Sequence, residues 1–221
     1  MKNYLFLIPV YNDWKSLNLL LQKINDEISK ASKKADILVI DDCSTLEIDL
    51  RKENLKNIQD ITVISLKRNI GSQSSIAIGL KYIFNKKKDY IITILDSDGE
   101  DDPLKILEMI NRAEIDKDFV ITSNRTNRKE NPIFKFLYLI HKIFTFLFSL
   151  RWISFGNFSS FCSSNLDAIL KNNIVWIAFS SAIITNSKIK RLYAKRKERY
   201  FGKSKVNFSS LALHSLRVIS V

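Results

Sequence analysis

The chain has very little cysteine, glycine or proline. Its 221 residues include two cysteines, five glycines and three prolines. Cys43 and Cys162 are too few for a disulfide framework and match no metal-ligand spacing, so they indicate a reducing compartment and a packing role. The scarcity of glycine and proline excludes collagen-like and low-complexity chains, and it predicts long, regular helices and strands.

Long hydrophobic runs without charge are also missing. The run from Tyr4 to Val10 is too short to span a bilayer and has no small-residue cleavage site after it, so it predicts a buried strand rather than a signal peptide. The run from Ile133 to Leu150 is longer but contains two lysines and a histidine. Its helix would reach roughly 27 Å, which favours an amphipathic helix in the membrane interface. A buried core helix is the alternative.

Positive charge is abundant and unevenly distributed. The net charge is +12, with 18 Lys and Arg against 20 Asp and Glu in residues 1–123, and 17 against 3 in residues 124–221. The second half is therefore expected to meet an anionic partner, and nucleic acid, phosphorylated small molecules and anionic membranes all qualify. The hydrophobic fraction of 46% is enough for the core of one domain.

Apolar stretches of strand length alternate with stretches of helical periodicity in the first half of the chain. This alternation predicts an α/β fold, in which a mostly parallel sheet is covered by helices on both faces. The stretch around Gly156 to Ser164 is less regular and is not predicted to be a strand. The predicted strands are Tyr4–Pro9, Ile37–Ile40, Ile61–Leu66, Tyr90–Leu95, Phe119–Ser123 and a late strand at Ile189–Tyr193.

Polar clusters follow three of these strands directly. They are Tyr11–Asp13, Asp41–Ser44 and Asp96–Asp102. Loops are polar for many reasons, and any one cluster could be a solvated loop. Three at the carboxyl ends of parallel strands, where ligands bind in such sheets, predict a binding site at that edge.

The third cluster has the most specific chemistry. Five carboxylates occur within the seven positions Asp96–Asp102, and a pair about 4 Å apart repels by roughly 4 kcal/mol at an effective dielectric of 20. Asp102 is expected to cap the helix that Pro103 begins. Asp96 and Asp98 precede that cap, and their oxygens suit a hard divalent cation that also holds phosphate. Solvated acids are the alternative.

The order of four motifs marks a resemblance. Pro9–Asp13, Asp41–Ser44, Asn69–Gly71 and Asp96–Asp98 occur in the order and approximate spacing of family 2 inverting glycosyltransferases, which have the GT-A fold. The resemblance implies a Rossmann-like, mostly parallel central sheet flanked by helices, with an amphipathic helix at the membrane interface. It covers nearly the whole chain.

Two longer motifs narrow this resemblance. Asp96–Pro103 and the late segment Arg196–Lys205 look like the polyprenyl-phosphate branch of the family, which includes dolichyl-phosphate mannose synthases. The resemblance then implies one catalytic domain over residues 1–221. Residues 1–123 would bind the nucleotide sugar, and residues 124–221 would face the acceptor and the membrane.

The resemblance also implies individual roles. A divalent ion, Mg²⁺ or Mn²⁺, would bridge the donor diphosphate and stabilise the departing nucleoside diphosphate. Cationic side chains would screen the phosphate of the acceptor and of the leaving group. The implied nucleotide-sugar contacts are Pro9, Tyr11, Asp13, Asp42, Asp96 and Ser97; the implied metal ligands are Asp96, Asp98 and Glu100; and the implied catalytic residues are Asp98, Arg125, Arg199 and Lys205.

The implied reaction moves a sugar from a UDP- or GDP-linked donor to a polyprenyl phosphate of the undecaprenyl or dolichyl type, with inversion. The protein would be cytoplasmic, peripheral to the inner face of the membrane, and without a nucleic-acid partner. A phosphate monoester is already ionised near neutral pH, so the reaction needs no protein base. This matters because Asn157, which cannot take a proton, stands where many relatives have an acidic residue.

The sequence departs from the family in two further places. Glu100 replaces a glutamine that is often found there, and as an extra anion it should tighten metal binding. Many relatives continue into transmembrane helices, whereas this sequence stops at Val221, which predicts either a peripheral variant or a truncated chain.

Three other functions stay open at this point. A related enzyme could glycosylate a hydroxyl of a cell-surface glycan. A catalytically inactive relative could act as a partner protein, which Asn157 would permit. A nucleic-acid-binding module is suggested by charge alone, but the sequence has no recognisable nucleic-acid-binding motif.

Overall fold

The structure is a computed structural model that describes residues 3–126 and 155–202, with the side chains of residues 125 and 126 excepted. Seven strands and five α-helices make up this part of the chain. The strands are β1 Asn3–Val10, β2 Ala35–Asp41, β3 Ile58–Ser65, β4 Tyr90–Ile94, β5 Phe119–Thr126, β6 Phe155–Cys162 and β7 Lys188–Lys195. The helices are α1 Trp14–Ser29, α2 Ser72–Asn85, α3 Ile106–Ile115, α4 Leu166–Leu170 and α5 Phe179–Asn186. Short 3₁₀ turns lie at Pro103–Lys105, Ser163–Asn165 and Asn173–Trp176.

All seven strands form one sheet, in the order β3-β2-β1-β4-β6-β5-β7. β6 is antiparallel to its neighbours β4 and β5, and the other strands run in a common direction. The predicted α/β fold with a mostly parallel sheet is therefore confirmed. The six predicted strands are also confirmed, with ends that differ from the prediction by up to three residues.

The interpretation of Gly156–Ser164 as irregular was wrong, because most of this stretch belongs to β6. Its backbone pairs with strands on both sides. Ser159 lies opposite Ile94 of β4, and Ser160 lies opposite Ile121 of β5. Both serines are fully buried, so small polar residues stand where an alternation of apolar residues would have marked a strand. Ladder hydrogen bonds offset the cost of burying this segment's backbone.

Both faces of the sheet are buried. Phe6 and Ile8 of β1 face a core that contains the apolar sides of α1 and α3, whereas Leu5 and Leu7 face a core that contains those of α2 and α5. Each large side chain that becomes fully buried contributes roughly 1.5–3 kcal/mol. Burial on both sides explains why the strand reads as a continuous apolar run.

The sheet brings the three predicted polar clusters to one edge. β1 lies between β2 and β4 and is parallel to both, with Val10 opposite Asp41 and Leu7 opposite Ile94. The loops that leave these three strands therefore emerge side by side. In the described part of the chain, no helix has both the length and the apolar character needed to cross a bilayer. The predicted interface helix Ile133–Leu150 lies outside the described residues.

Candidate functional site

The loops after β1 and β2 are tied together by Asn12. Its side-chain oxygen accepts hydrogen bonds from the backbone N–H groups of Thr45 at 2.8 Å and Leu46 at 3.0 Å. Its own N–H donates to the Ser44 hydroxyl at 2.8 Å. Asn12 has a positive φ of 51°, a conformation that asparagine tolerates better than most residues. Tyr11, the residue before it, is exposed at the edge of the site.

Asp42 joins the end of β2 to the Asn69–Gly71 loop. Its carboxylate accepts hydrogen bonds from the N–H groups of Ile70 and Gly71, each at 2.8 Å, and Asn69 donates to its backbone carbonyl at 3.1 Å. Burial raises the pKa of Asp42, while the two backbone N–H groups oppose that shift. Gly71 has φ +87°, which favours glycine at this corner. Asp42 therefore holds the loop before α2, and its predicted contact with the base stays a prediction.

The loop after β4, Asp96–Asp102, is called the acidic loop below. Ser97, Asp101 and Asp102 within it are buried. Leu104 donates its N–H to the Asp102 carboxylate at 3.3 Å, and Pro103 is the first residue of the 3₁₀ turn that leads into α3. The predicted cap is confirmed, and it accounts for one of the five carboxylates.

The segment after β7, Arg196–Gly202, is called the basic segment below, and it lies on the acidic loop. Two backbone hydrogen bonds join them, from Lys197 N–H to the Glu100 carbonyl at 2.8 Å and from Tyr200 N–H to the Asp98 carbonyl at 2.9 Å. Arg196 donates two hydrogen bonds to the Glu100 carboxylate, one of them at 3.0 Å.

Arg199 links the acidic loop to the loop after β1. Its guanidinium donates to Asp98 Oδ2 at 3.0 Å, and its second terminal nitrogen donates to the Asp13 carboxylate. Its Nε donates to the Phe201 carbonyl at 2.9 Å, which fixes the plane of the guanidinium. All three charged side chains are largely buried. The predicted residues Asp13, Asp98 and Arg199 therefore lie in one ion-pair cluster.

Gly99 allows the basic segment to approach this closely. It has φ +81°, and a Cβ atom placed on it would lie 2.2 Å from a ring carbon of Tyr200. The Tyr200 ring packs against the core, and burial followed by the charges of Asp102 and Asp98 raises the pKa of its hydroxyl. A side chain at position 99 would displace the ring or the loop.

The acidic loop holds more negative charge than Arg196 and Arg199 of the basic segment offset. Burial raises the pKa of Asp98 from its usual 3.8 to about 6, and repulsion from Asp96 and Glu100 adds to the shift. The Glu100 N–H, which donates to Asp98 Oδ1 at 3.0 Å, and the charge of Arg199 oppose it. A buried carboxylate with this pKa indicates a position where an additional cation would be stabilising.

The fit of a divalent ion depends on Asp96 and Asp98. Their carboxylate oxygens are the hard donors that Mg²⁺ and Mn²⁺ prefer, and burial followed by repulsion from Asp96 and Glu100 raises the pKa of Asp98 in spite of its ion pair with Arg199. Glu100, the third predicted ligand, is engaged by Arg196. Among the described residues, no three Asp, Glu, His or Cys side chains are arranged as a ready-made metal site. Asp96 and Asp98 are therefore the residues that would hold the ion.

Asn157, at the start of β6, also belongs to this site. Its side-chain NH₂ donates to Asp96 Oδ1 at 2.8 Å, and its side-chain oxygen accepts from Gln73 Nε2 at 3.0 Å. Gln73 was not predicted as a site residue. No motif marks it, since it is simply the second residue of α2, and only the folded sheet brings it near the acidic loop.

The remaining predicted residues differ in what the structure describes of them. Pro9 lies near the end of β1, beside Ile40 of β2. Arg125 lies in β5 opposite Ala194 of β7, and only its backbone is described. Lys205 lies outside the described residues. The roles of all three stay predictions.

Comparison with known families identifies the chain. The sequence pattern of Glycosyl transferase family 2 matches residues 6–172. The chain belongs to this family. As a family 2 glycosyltransferase it has the acidic loop, the Asn69–Gly71 loop and Asn157 within the matched region, whereas the basic segment lies beyond it.

Curated relatives of this glycosyltransferase are longer proteins. An undecaprenyl-phosphate 4-deoxy-4-formamido-L-arabinose transferase of Proteus mirabilis is 31% identical over 127 residues, which are 57% of this chain and 37% of the relative. A glycosyltransferase of Bacillus subtilis named YkcC, described as uncharacterized, is 27% identical over 133 residues, which are 60% of this chain and 40% of that protein. The chain thus spans about two fifths of the length of these relatives.

Solved structures share the fold at low sequence identity. Glucosyl-3-phosphoglycerate synthase from Mycobacterium tuberculosis, in complex with Mn²⁺, UDP and glucosyl-3-phosphoglycerate, is 13% identical with a TM-score of 0.59, and the match covers 99% of this chain and 78% of the synthase. Residues 1–349 of TarS of S. aureus, in complex with UDP, are 17% identical with a TM-score of 0.56, covering 100% of this chain and 64% of that fragment. The expected GT-A fold of this family 2 glycosyltransferase is confirmed.

Proposed function

We propose that the chain transfers a sugar from a nucleotide sugar to a polyprenyl phosphate, with inversion and with a divalent metal ion. The observation that carries this proposal is the cluster in which Arg199 bridges Asp13 and Asp98 at the carboxyl ends of β1 and β4. A diphosphate and its metal ion need cations and carboxylates together, at the edge of the sheet where ligands bind.

The donor would lie across the loops after β1, β2 and β4. Asp96 and Asp98 would hold the metal ion, and Glu100 would join them on leaving Arg196. The ion would act as a Lewis acid on the diphosphate, which is the chemistry that it supplies when bound. The residues that we assign to the nucleotide sugar are Pro9, Tyr11, Asp13, Asp42, Asp96 and Ser97.

Arg199 would exchange carboxylate partners for phosphate oxygens. Its planar guanidinium already grips two acidic side chains, and phosphate offers the same pair of acceptor oxygens. With the charge of Asp98 shared with a bound metal ion, Arg199 would be held less tightly by Asp98 and its guanidinium would be free for the departing nucleoside diphosphate. Arg125 and Lys205 are proposed to neutralise the acceptor phosphate, and we assign residues 124–221 to the acceptor side.

A phosphate acceptor suits both the relatives and the site. The Proteus mirabilis relative, 31% identical, carries undecaprenyl phosphate in its name. Asn157 donates to Asp96 and cannot remove a proton from a sugar hydroxyl. An ionised phosphate needs no such base, and it can attack the anomeric carbon directly, with inversion.

We further propose that the protein works at the cytosolic face of the membrane. The polyprenyl chain of the acceptor resides in the bilayer, and the predicted interface helix Ile133–Leu150 would bring the site to it. UDP is the first donor nucleotide to test because two structures of the same fold contain it, while GDP stays open.

The test is a reconstituted transfer assay. The full chain is mixed with liposomes that contain undecaprenyl phosphate, with a panel of UDP- and GDP-sugars, and with Mg²⁺, Mn²⁺ or EDTA. We expect a lipid-linked sugar with one donor, and none in EDTA or with Asp98→Asn. The exposed Asp118→Asn variant is the matched control. Sugar transfer to a glycan hydroxyl without undecaprenyl phosphate would overturn the proposed acceptor, and transfer in EDTA would overturn the metal.

A further inference from the structure

We propose that Gln73 and Asn157 form a hydrogen-bonded chain that orients the Asp96 carboxylate for the metal ion of the donor. Both are positioning residues, and the inference rests on the proposed function. Asn157 contacts Asp96 directly, whereas Gln73 acts through Asn157. Nothing in the family match or in the names of the relatives assigns a role to Gln73.

The hydrogen-bonded chain consists of three consecutive hydrogen bonds of ordinary length. Phe179 N–H donates to Gln73 Oε1 at 2.8 Å, Gln73 Nε2 donates to Asn157 Oδ1 at 3.0 Å, and Asn157 Nδ2 donates to Asp96 Oδ1 at 2.8 Å. The four groups come from α5, α2, β6 and the loop after β4. Three of these elements are regular structure anchored in the core, so the chain transmits a fixed position to the acidic loop.

The first donor, the Phe179 N–H, sets the direction of every hydrogen bond in this hydrogen-bonded chain. A backbone N–H can only donate, so the Gln73 oxygen must face Phe179 and its NH₂ must face Asn157. The Asn157 oxygen must then face Gln73, which leaves its NH₂ for Asp96. Each amide therefore has one allowed orientation, and Asp96 always meets a donor at this oxygen.

The fixed orientation of the two amides allows an experiment to separate the effect of orienting Asp96 from the effect of adding negative charge near the metal ion. In Gln73→Glu the bond from Phe179 is kept, but the side chain has no hydrogen to donate to Asn157. Asn157 then lies between two carboxylates and its NH₂ can face only one of them, so Asp96 no longer has a donor fixed at this oxygen and meets the Asn157 oxygen whenever the amide is turned. Asn157→Asp repels Asp96 directly. Both variants add a negative charge near the metal ion, and that charge alone would tighten cation binding.

The affinity of the protein for Mn²⁺ at saturating UDP reports how well the Asp96 carboxylate is oriented. Partners that hold a metal ligand in place typically contribute 10–100-fold to metal affinity. We expect the dissociation constant for Mn²⁺, from isothermal titration calorimetry, to rise about tenfold in Gln73→Glu and at least as much in Asn157→Asp. The exposed substitutions Gln22→Glu and Asn111→Asp are the matched controls and should leave it unchanged. Melting temperatures measured without Mn²⁺ show whether each variant is folded.

The outcomes separate this inference from the proposed function. If wild type binds no Mn²⁺ together with UDP or GDP, the proposed function fails. If wild type binds and Gln73→Glu binds as tightly or more tightly, the chain does not orient Asp96, and the inference is wrong. An effect of Asn157→Asp without one of Gln73→Glu also overturns it, because Gln73 would then play no part. Gln73→Met, which adds no charge, replaces Gln73→Glu if that variant does not fold, and it should weaken Mn²⁺ binding in the same direction.

Discussion

Arg199 donates a hydrogen bond to Asp98 at 3.0 Å across a sequence separation of 101 residues. The same guanidinium reaches Asp13, so one side chain holds together the loop after β1 and the acidic loop. The last described segment of the chain thereby joins a site to which the loops after β1, β2 and β4 and Asn157 of β6 also contribute.

Removing the guanidinium of Arg199 should weaken nucleotide binding and lower the stability of the protein. Arg199→Ala leaves two largely buried carboxylates without their partner, and we expect a loss of about 2 kcal/mol in the free energy of unfolding. Arg199→Lys keeps the charge but cannot contact both carboxylates with a planar fork, so UDP affinity should fall roughly tenfold. Urea unfolding and calorimetry measure the two effects. Arg51→Ala, at an exposed ion pair, is the control, and equal effects at both positions would contradict the assignment.

A methyl group at position 99 should displace the basic segment. Gly99→Ala places its Cβ 2.2 Å from the Tyr200 ring and adds strain at a positive φ, so the free energy of unfolding should fall by about 2–3 kcal/mol. Gly202→Ala is the matched control, because Gly202 also has a positive φ and no atom of the described residues lies within 4 Å of the added Cβ. It should lose only about 1 kcal/mol. Similar losses in the two variants would show that contact with Tyr200 does not matter.

Asp42 should stabilise the loop that precedes α2. Asp42→Ala leaves the N–H groups of Ile70 and Gly71 without their acceptor, and the free energy of unfolding should fall by about 2 kcal/mol. Asp42→Asn keeps one acceptor oxygen and should lose less. Urea unfolding measures both, with the exposed Asp49→Ala as the control. If Asp42→Ala weakens UDP binding without affecting stability, the residue serves the base and not the loop.

The raised pKa of Asp98 predicts a pH dependence of stability in metal-free buffer. The folded chain binds the proton of the Asp98 carboxyl more tightly than the unfolded chain does, since the pKa of Asp98 is about 6 in the folded chain and 3.8 in the unfolded chain. The stability that the protonated carboxyl contributes is therefore complete below pH 3.8 and is lost as the pH rises through about 6. Relative to Asp98→Asn, wild type in EDTA should lose on the order of 2 kcal/mol over this range. Urea unfolding at pH 4.5 and pH 7.5 measures the difference, and parallel curves would contradict the assignment.

The predicted interface helix gives a membrane-binding test. Replacing Phe136, Phe144 and Phe148 by serine should reduce co-sedimentation with liposomes that contain anionic lipid, because apolar area buried in the bilayer drives such binding. Trp176→Ser, at an exposed aromatic of the described structure, is the control. Unchanged sedimentation with lowered stability would identify Ile133–Leu150 as a core helix instead.

The sequence predicted the features that depend on local patterns. β1 and β2 read as apolar runs because helices cover both faces, and the polar clusters after them mark the strand ends. The family motifs then located Asp98 and Arg199 in one site, although they are far apart along the chain.

Features that depend on packing between distant segments were not predicted. β6 contains buried serines in place of an apolar alternation, and the neighbouring strands that stabilise it cannot be seen in its own sequence. The link from Gln73 to Asn157 spans 84 residues, and although the family comparison marked the position of Asn157, no motif marked Gln73. The ion pair of Glu100 with Arg196 was missed for the same reason, since charge alone does not tell which acid meets which base.

The reversed direction of β6 decides where the intervening polypeptide is tethered. β5 runs with β1 and ends at Thr126 on the edge that carries the acidic loop, and β6 starts its opposite course from Phe155 on that same edge. Thr126 therefore lies two strand positions from β4, the strand that leads into the acidic loop, and Phe155 lies one position from it. Under the proposed function, an acceptor phosphate bound at this edge would lie close to both of these attachment points.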